Sequence, residues 1–274
     1  MTPEPTEDDE PSVAVRPRRK GIYALPNAIT LSALFSAFYA IVMAMNGRFE
    51  IACVAVFAAA ILDSLDGRVA RMTNTQSAFG EQMDSLSDMV AFGAAPALII
   101  YMWALKDMGK PGWIPAFVYI AGAALRLARF NVNIGVVDKR FFQGLPSPAA
   151  AAIVMGMIYW AINEPWYDGV ARAPWLRWAA FGVTLFAGLS MVTNAPFYSF
   201  KVFDRRRSVP FIVLVVIMLA IGLVALDPPT MLFVIFCVYG LSGYAVYAWR
   251  KAKGKPVSVI STSTDEPDER GLHQ

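Results

Sequence analysis

The sequence predicts an all-α integral membrane protein of about eight transmembrane helices with both termini on the cytoplasmic side. Hydrophobic residues make up 57% of the 274, and a mean hydropathy of +0.47 is too high for a soluble domain. Apolar runs of spanning length recur near 26–46, 50–70, 86–105, 113–131, 147–163, 176–194, 208–226 and 230–249, against about 20 residues needed to cross the hydrocarbon layer. Threading these runs back and forth puts 19 of the 24 basic residues on one side. Arg48, Lys106, Lys110, Arg172 and Arg177 are left on the other, which sets an N-in, C-in orientation. The net charge of +3 thus reports topology, and nucleic-acid binding is not needed to explain it.

Residues 1–20 are rich in Pro, Glu and Asp and end on Arg16, Arg18, Arg19 and Lys20. This is the composition of a disordered cytoplasmic tail whose basic end meets anionic headgroups. The membrane domain then runs over 21–250. Its first apolar run is long and is followed by no small-residue cleavage site, so it reads as a retained anchor, not a cleaved signal peptide. Asn27 and Thr30 stand at its cytoplasmic end, as helix caps or as hydrogen-bonding groups for a ligand.

The second and third runs meet across a polar stretch holding Asp63, Asp66, Gly67, Ala70 and Arg71, then Gly80, Asp84 and Asp88. One acidic side chain in a membrane helix costs about 2.5–3.5 kcal/mol on insertion scales, so four oppose insertion by roughly 10 kcal/mol unless a cation compensates. Ordinary helix-end residues in a cytosolic loop would account for any one of them; the set together points to a divalent metal pair. Asp63 and Asp66 are three apart and Asp84 and Asp88 four apart, so each pair shares a helix face within 63–88. Carboxylate oxygens without His or Cys suit hard ions, Mg²⁺ or Mn²⁺, which complete their shells with oxygens of a phosphorylated substrate. Gly67 and Ala70 let a flat ring approach the backbone, and Arg71 offers a fork of donors for phosphate.

The fourth run carries Arg126 and Arg129 in its last turns, three apart on one face and near the depth of the acidic motif, where they can hold an anion. Arginines at a cytoplasmic helix end also follow from snorkelling and the positive-inside rule. Cys53 and Cys237 fall within apolar runs without ligand spacing, as core residues and not as a disulfide. His273 is the single histidine and lies in the tail at 251–274, which reads as disordered like the first. A histidine base, a Ser-His-Asp triad and a zinc site are therefore excluded, and proton transfer falls to a carboxylate or a metal-bound group.

The pattern Asp63-x-x-Asp66-Gly67-x-x-Ala70-Arg71, eight residues, Gly80-x-x-x-Asp84-x-x-x-Asp88 resembles the complete signature of the CDP-alcohol phosphotransferases, with no departure at a fixed position. Members displace CMP from a CDP-linked lipid or alcohol with two metal ions. The resemblance implies that fold and chemistry here. It makes Asp63, Asp66, Asp84 and Asp88 the metal ligands and Asp88 the base, and it places Gly67, Ala70, Arg71 and Gly80 around CDP-diacylglycerol, where Asn27 and Thr30 add hydrogen bonds if they do not serve as caps.

Three further runs, at 126–131, 144–148 and 198–201, resemble a branch of that family, the membrane-bound phosphatidylserine synthases of bacteria and archaea. They read Arg-Leu-Ala-Arg-Phe-Asn, Gly-Leu-Pro-Ser-Pro and Tyr-Ser-Phe-Lys. This likeness extends from about Pro26 to Lys201 and includes an eight-span layout; Asn194, Ala195 and Pro196 depart from it, where a more polar, Pro-free segment is expected. It implies CDP-diacylglycerol and L-serine as substrates and phosphatidylserine and CMP as products. It also implies a homodimer among membrane lipids of the cytoplasmic (inner) membrane, with the active site facing the cytoplasm. A serine carboxylate needs a cationic clamp, for which Arg126, Arg129 and Lys201 are the candidates.

Rival readings differ in what they require. A phosphatidylglycerophosphate or phosphatidylinositol-phosphate synthase takes a phosphorylated acceptor and demands a denser basic pocket. A membrane prenyltransferase also presents Asp clusters to Mg²⁺ but lacks the Gly67, Ala70, Arg71 and Gly80 spacing. An ion transporter has no need of those residues beside its carboxylates, nor of a motif confined to one membrane face.

Overall fold

The computed structural model describes residues 24–73, 75–132, 141–171, 173–198, 218–219, 222 and 225–253. Seven helices carry the architecture of these residues: α1 (Ala24–Met45), α2 (Phe49–Met72), α3 (Ala78–Met108), α4 (Trp113–Val132), α5 (Ser147–Asn163), α6 (Trp175–Val192) and α7 (Pro228–Ala252). Five stretches are long and apolar enough to cross a membrane: Leu25–Met45, Ala78–Met108, Lys110–Val132, Trp175–Val192 and Pro228–Ala252. The protein is an integral membrane protein. Of the eight expected spans, the second is the 24-residue α2, whose charged C-terminal half lowers its hydropathy, and the fifth is the 17-residue α5. The run at 208–226 lies largely outside the described residues, as do the tail at 1–20 and residues 254–274. α7 continues two residues past the expected boundary at 250.

The third span does not begin near 86; it is one helix from Ala78, because Ser77 caps it, accepting from the N–H of Gly80 at 3.0 Å. The fold is also not purely helical. Strands β1 (Phe141–Gln143) and β2 (Pro196–Tyr198) pair antiparallel, Gln143 opposite Pro196, in a short ribbon. Pro196, which departs from the expected pattern, stands at the first position of its strand, where a missing N–H is tolerated.

Small residues set how closely the helices approach. Ala33, Ala37, Ala40 and Ala44 form one buried face of α1 against Ala52, Ala55, Val56 and Ala59 of α2, a seam in which backbones pack by van der Waals contact. On the opposite side of α1, Phe35 and Phe38 point outward, as a lipid-facing surface requires. α4 and α6 cross at Gly122 and Gly188. A Cβ on Gly122 would sit 2.4 Å from the carbonyl oxygen of Gly188, so no side chain fits at the crossing.

α3 runs through the middle, with 61% of its apolar window buried against 11% for α7. Two π turns interrupt it, Met89–Ala94 and Tyr101–Leu105, the first starting immediately after Asp88. Inside the helix, Pro96 has no N–H to offer the carbonyl of Phe92 one turn earlier. The buried hydroxyl of Tyr119, from α4, donates to that oxygen at 2.9 Å. Tryptophans mark both ends of the bundle. Trp113, Trp166, Trp175 and Trp178 are exposed at one end and Trp249 at the other, the positions of interfacial aromatic belts.

Candidate active site

The acidic motif comes together at one end of the bundle, where α2 ends and α3 begins. One carboxylate oxygen each from Asp63, Asp66 and Asp84 lies within 4.8 Å of the others. Asp63 is also within hydrogen-bonding reach of both Asp84 and Asp88, which joins the fourth carboxylate to the group. Helical spacing puts each pair on one face, and α1, which packs on both α2 and the first turns of α3, brings those faces together. Bare carboxylates this close repel, and the low dielectric of a membrane domain magnifies the repulsion.

The donor set suits a divalent cation. It consists of hard oxygens, and Oδ1 of Asp88 is buried without a hydrogen-bond partner among the described residues. A buried orphan acceptor beside the carboxylates of Asp63 and Asp84 fits a hard cation of the Mg²⁺ or Mn²⁺ kind.

α1 supports this cluster. Thr30 is buried, and its Oγ1 donates to Oδ2 of Asp66 at 2.6 Å while lying 3.1 Å from the carbonyl of Pro26. The carbonyl of Thr30 in turn accepts from Ser87 Oγ at 3.3 Å, so one residue ties α2 and α3 to α1. Asn27 reaches the first turn of α3: a Cβ on Gly80 would stand 3.4 Å from its Oδ1 and 3.2 Å from Ser77 Oγ. Gly67 is covered by the Arg71 guanidinium, whose Nη1 is 3.7 Å from where a Cβ would lie, and Ala70 is half-buried on the same helix end. Thr30 thus touches a carboxylate directly, and Asn27, Gly67, Ala70, Arg71 and Gly80 lie on the adjoining ends of α1, α2 and α3.

The two arginines of α4 have different surroundings. Arg126 turns inward: its Nη1 donates to Ser147 Oγ at 2.6 Å, and its charge acts on Asp88. Arg129 is held by the far side of the site, donating to the carbonyl of Val192 at 3.3 Å and to Asn194 Oδ1 at 3.1 Å. Lys201 lies outside the described residues. Sequence reasoning gave no role to Ser147, Ser87, or the pair Ser85 and Asn131, in which Asn131 Nδ2 donates to Ser85 Oγ at 3.1 Å and clasps α4 to α3 beside Asp84. Ser147 and Asn131 carried a signal, their places in the Gly-Leu-Pro-Ser-Pro and Arg-Leu-Ala-Arg-Phe-Asn runs.

Below the carboxylates, an open apolar groove of about 600 Å³ runs between α2, α5 and α7. Val56, Phe57 and Ala60 line it from the α2 face that ends in Asp63, and Phe92 lines it one turn beyond Asp88. The acidic cluster and an apolar trough therefore share the faces of α2 and α3. That combination suits an amphiphile with a phosphorylated head.

Comparison with known proteins agrees with this geometry. The chain is 35% identical over 221 residues, 80% of its length and 90% of the relative's, to a Helicobacter pylori protein named CDP-diacylglycerol–serine O-phosphatidyltransferase. A Mycobacterium tuberculosis protein of the same name is 31% identical over 232 residues, covering 82% of this chain and 79% of that one. An archaetidylserine synthase of Methanothermobacter thermautotrophicus is 38% identical over 133 residues, 48% of this chain and 56% of the relative. The family model described as CDP-alcohol phosphatidyltransferase matches residues 23–189, which take in all four carboxylates, both α4 arginines and the α4–α6 crossing. By that match and the carboxylate geometry it covers, the chain belongs to the CDP-alcohol phosphatidyltransferase family.

Proposed function

We propose that this protein transfers the phosphatidyl group of CDP-diacylglycerol to the hydroxyl of L-serine, giving phosphatidylserine and CMP. The observation that carries the reading is the convergence of Asp63, Asp66, Asp84 and Asp88 beside Arg126, on helices that also line an apolar groove. The names and coverage of the Helicobacter and Mycobacterium relatives support the choice of lipid donor and acceptor.

In this reading, the serine oxygen attacks the phosphorus that bears the lipid, the new O–P bond forms as the bond to the CMP phosphate breaks, and CMP leaves with the bridging oxygen. Asp88 accepts the hydroxyl proton. Arg126 holds the serine carboxylate next to Asp88, which orients the hydroxyl for in-line attack. Gly67 and Ala70 admit the cytidine, Arg71 binds its phosphate, and Asn27, Thr30 and Gly80 complete that rim. Two Mg²⁺ or Mn²⁺ ions, held by Asp63, Asp66, Asp84 and Asp88, would supply charge neutralisation of the pyrophosphate and of departing CMP. The apolar groove takes the acyl region. Because Arg129 is engaged with Val192 and Asn194, α4 presents one guanidinium to Asp88, suited to a carboxylate more than to an acceptor bearing its own phosphate. The protein works as a homodimer in the cytoplasmic membrane with this end toward the cytoplasm.

The test is incorporation of labelled serine into lipid by the purified protein with CDP-diacylglycerol. Activity is expected with Mg²⁺ or Mn²⁺ and should vanish with EDTA. Asp63→Asn and Asp84→Asn should each lower turnover by at least about 10²-fold while the protein remains in the membrane. Full activity of either variant at saturating metal refutes the carboxylate site, and labelled glycerol phosphate incorporated in place of serine refutes the acceptor.

A further inference from the structure

Ser147 has no role in the reaction as just described, yet the run from Gly144 to Pro148 that carries it is built with unusual constraint. Gly144 has φ +73°, a left-handed conformation, and a Cβ there would stand 2.3 Å from the carbonyl oxygen of Met191. Its N–H donates to Ala195 O at 3.0 Å and that of Leu145 to Ser190 O at 2.9 Å, which staples the turn to the end of α6. Leu145 is fully buried, and β1 pairs with β2 just before it. Pro146 and Pro148 then fix the backbone on either side of Ser147, which opens α5 and is fully buried. The one side-chain oxygen of this turn receives Arg126 Nη1 at 2.6 Å.

From this geometry we infer that Ser147 is a positioning residue for the acceptor: it fixes the Arg126 guanidinium so that the remaining N–H groups face the carboxylate of the incoming amino acid. The inference rests on the proposed role of Arg126. An arginine has five N–H donors and several rotatable bonds, and its use as a fork depends on which donor is already committed. Ser147 commits one. Prolines on both sides and a stapled turn keep that oxygen from following the guanidinium if it swings toward Asp88. The turn therefore separates the cation from the general base, which would otherwise be drawn into an ion pair of no use to the substrate.

Steady-state kinetics of the full-length protein in CDP-diacylglycerol mixed micelles, with each substrate varied in turn, test this. Ser147→Ala should raise the KM for serine roughly 10-fold, as loss of one hydrogen bond to a charged group would. kcat should stay within about twofold, with the KM for CDP-diacylglycerol unchanged. Ser147→Cys, of similar volume and with a weak acceptor, carries the same expectation. In an Arg126→Lys background the Ser147→Ala effect should disappear, since the partner it positions is gone. A loss confined to kcat, a raised KM for CDP-diacylglycerol, or an undiminished effect in the Arg126→Lys background overturns the inference. If Arg126→Lys raises the serine KM and Ser147→Ala does not, the inference fails while the role of Arg126 stands. If Arg126→Lys leaves the serine KM unchanged, that role fails and takes the inference with it.

Discussion

Asp88 and Arg126 sit close enough to influence each other, yet their proposed tasks are distinct, and kinetics can separate them. Replacing Arg126 by Lys keeps the charge and removes the planar fork. The serine KM should rise about 10–100-fold, the equivalent of a charge-assisted bond of about 1.5–3 kcal/mol, with CDP-diacylglycerol binding nearly intact. Asp88→Asn should instead lower kcat by about 10²–10⁴-fold, the usual contribution of a general base. A changed KM for CDP-diacylglycerol in the Arg126 variant, with serine unaffected, would assign that guanidinium to the lipid phosphate. The carboxylate pairs were legible in the sequence because helical spacing fixes which side chains share a face, whereas the same spacing joined Arg126 to Arg129, to which the structure gives different partners. Thr30 on Asp66 and Ser147 on Arg126 were not legible. Their partners are 36 and 21 residues away, and a hydrogen bond across that distance depends on how helices pack, which no local pattern encodes.

Among the elements, α4 and α6 show what fixes the distance between site residues. α4 carries Arg126, and α6 ends at the turn that supports Ser147, so the crossing at Gly122 and Gly188 sets the spacing of the two. A Cβ at Gly188 would meet the backbone nitrogen of Tyr119 at 2.9 Å, and backbone, unlike a flexible side chain, cannot move aside. Gly188→Val is therefore expected to push the helices apart and lower stability by about 1–3 kcal/mol, the usual cost of overpacking. Thermal inactivation in detergent should show it as a reduced midpoint, and a midpoint equal to wild type would mean that the crossing is looser than the structure has it. Tyr119 adds a second link, because its hydroxyl serves the Phe92 carbonyl that Pro96 cannot. Pro96 lies inside the third apolar run, where it removes one helical N–H. In the structure the helix persists, since a neighbouring helix supplies the missing donor and two π turns absorb the strain. The β1–β2 ribbon escaped sequence analysis for a related reason: three-residue strands carry no periodicity to detect, and their pairing spans more than 50 residues.

At the scale of the whole molecule, charge and packing give the same vertical axis. The ends of α2 and α4 that carry Arg68, Arg71, Arg126 and Arg129 lie with the carboxylates, while Arg48, Lys106, Lys110 and Arg177 lie at or beside the opposite helix ends. If the acidic end faces the cytoplasm, CDP-diacylglycerol headgroups, serine and released CMP all meet the site from the side where nucleotides are held, and no polar substrate has to cross the hydrocarbon layer. The positive-inside rule predicts that orientation from the 19-to-5 division of basic residues. Cysteine labelling of intact cells provides the test, in a background where Cys53 and Cys237 are replaced by Ala. Lys110→Cys, exposed in the turn between α3 and α4, should react with an impermeant maleimide. Lys139→Cys and Lys255→Cys should react only after the membrane is opened. Strong labelling of either from outside, with Lys110→Cys protected, would invert the topology and put the carboxylates on the face away from the nucleotide pool, where the proposed reaction has no donor headgroup to act on.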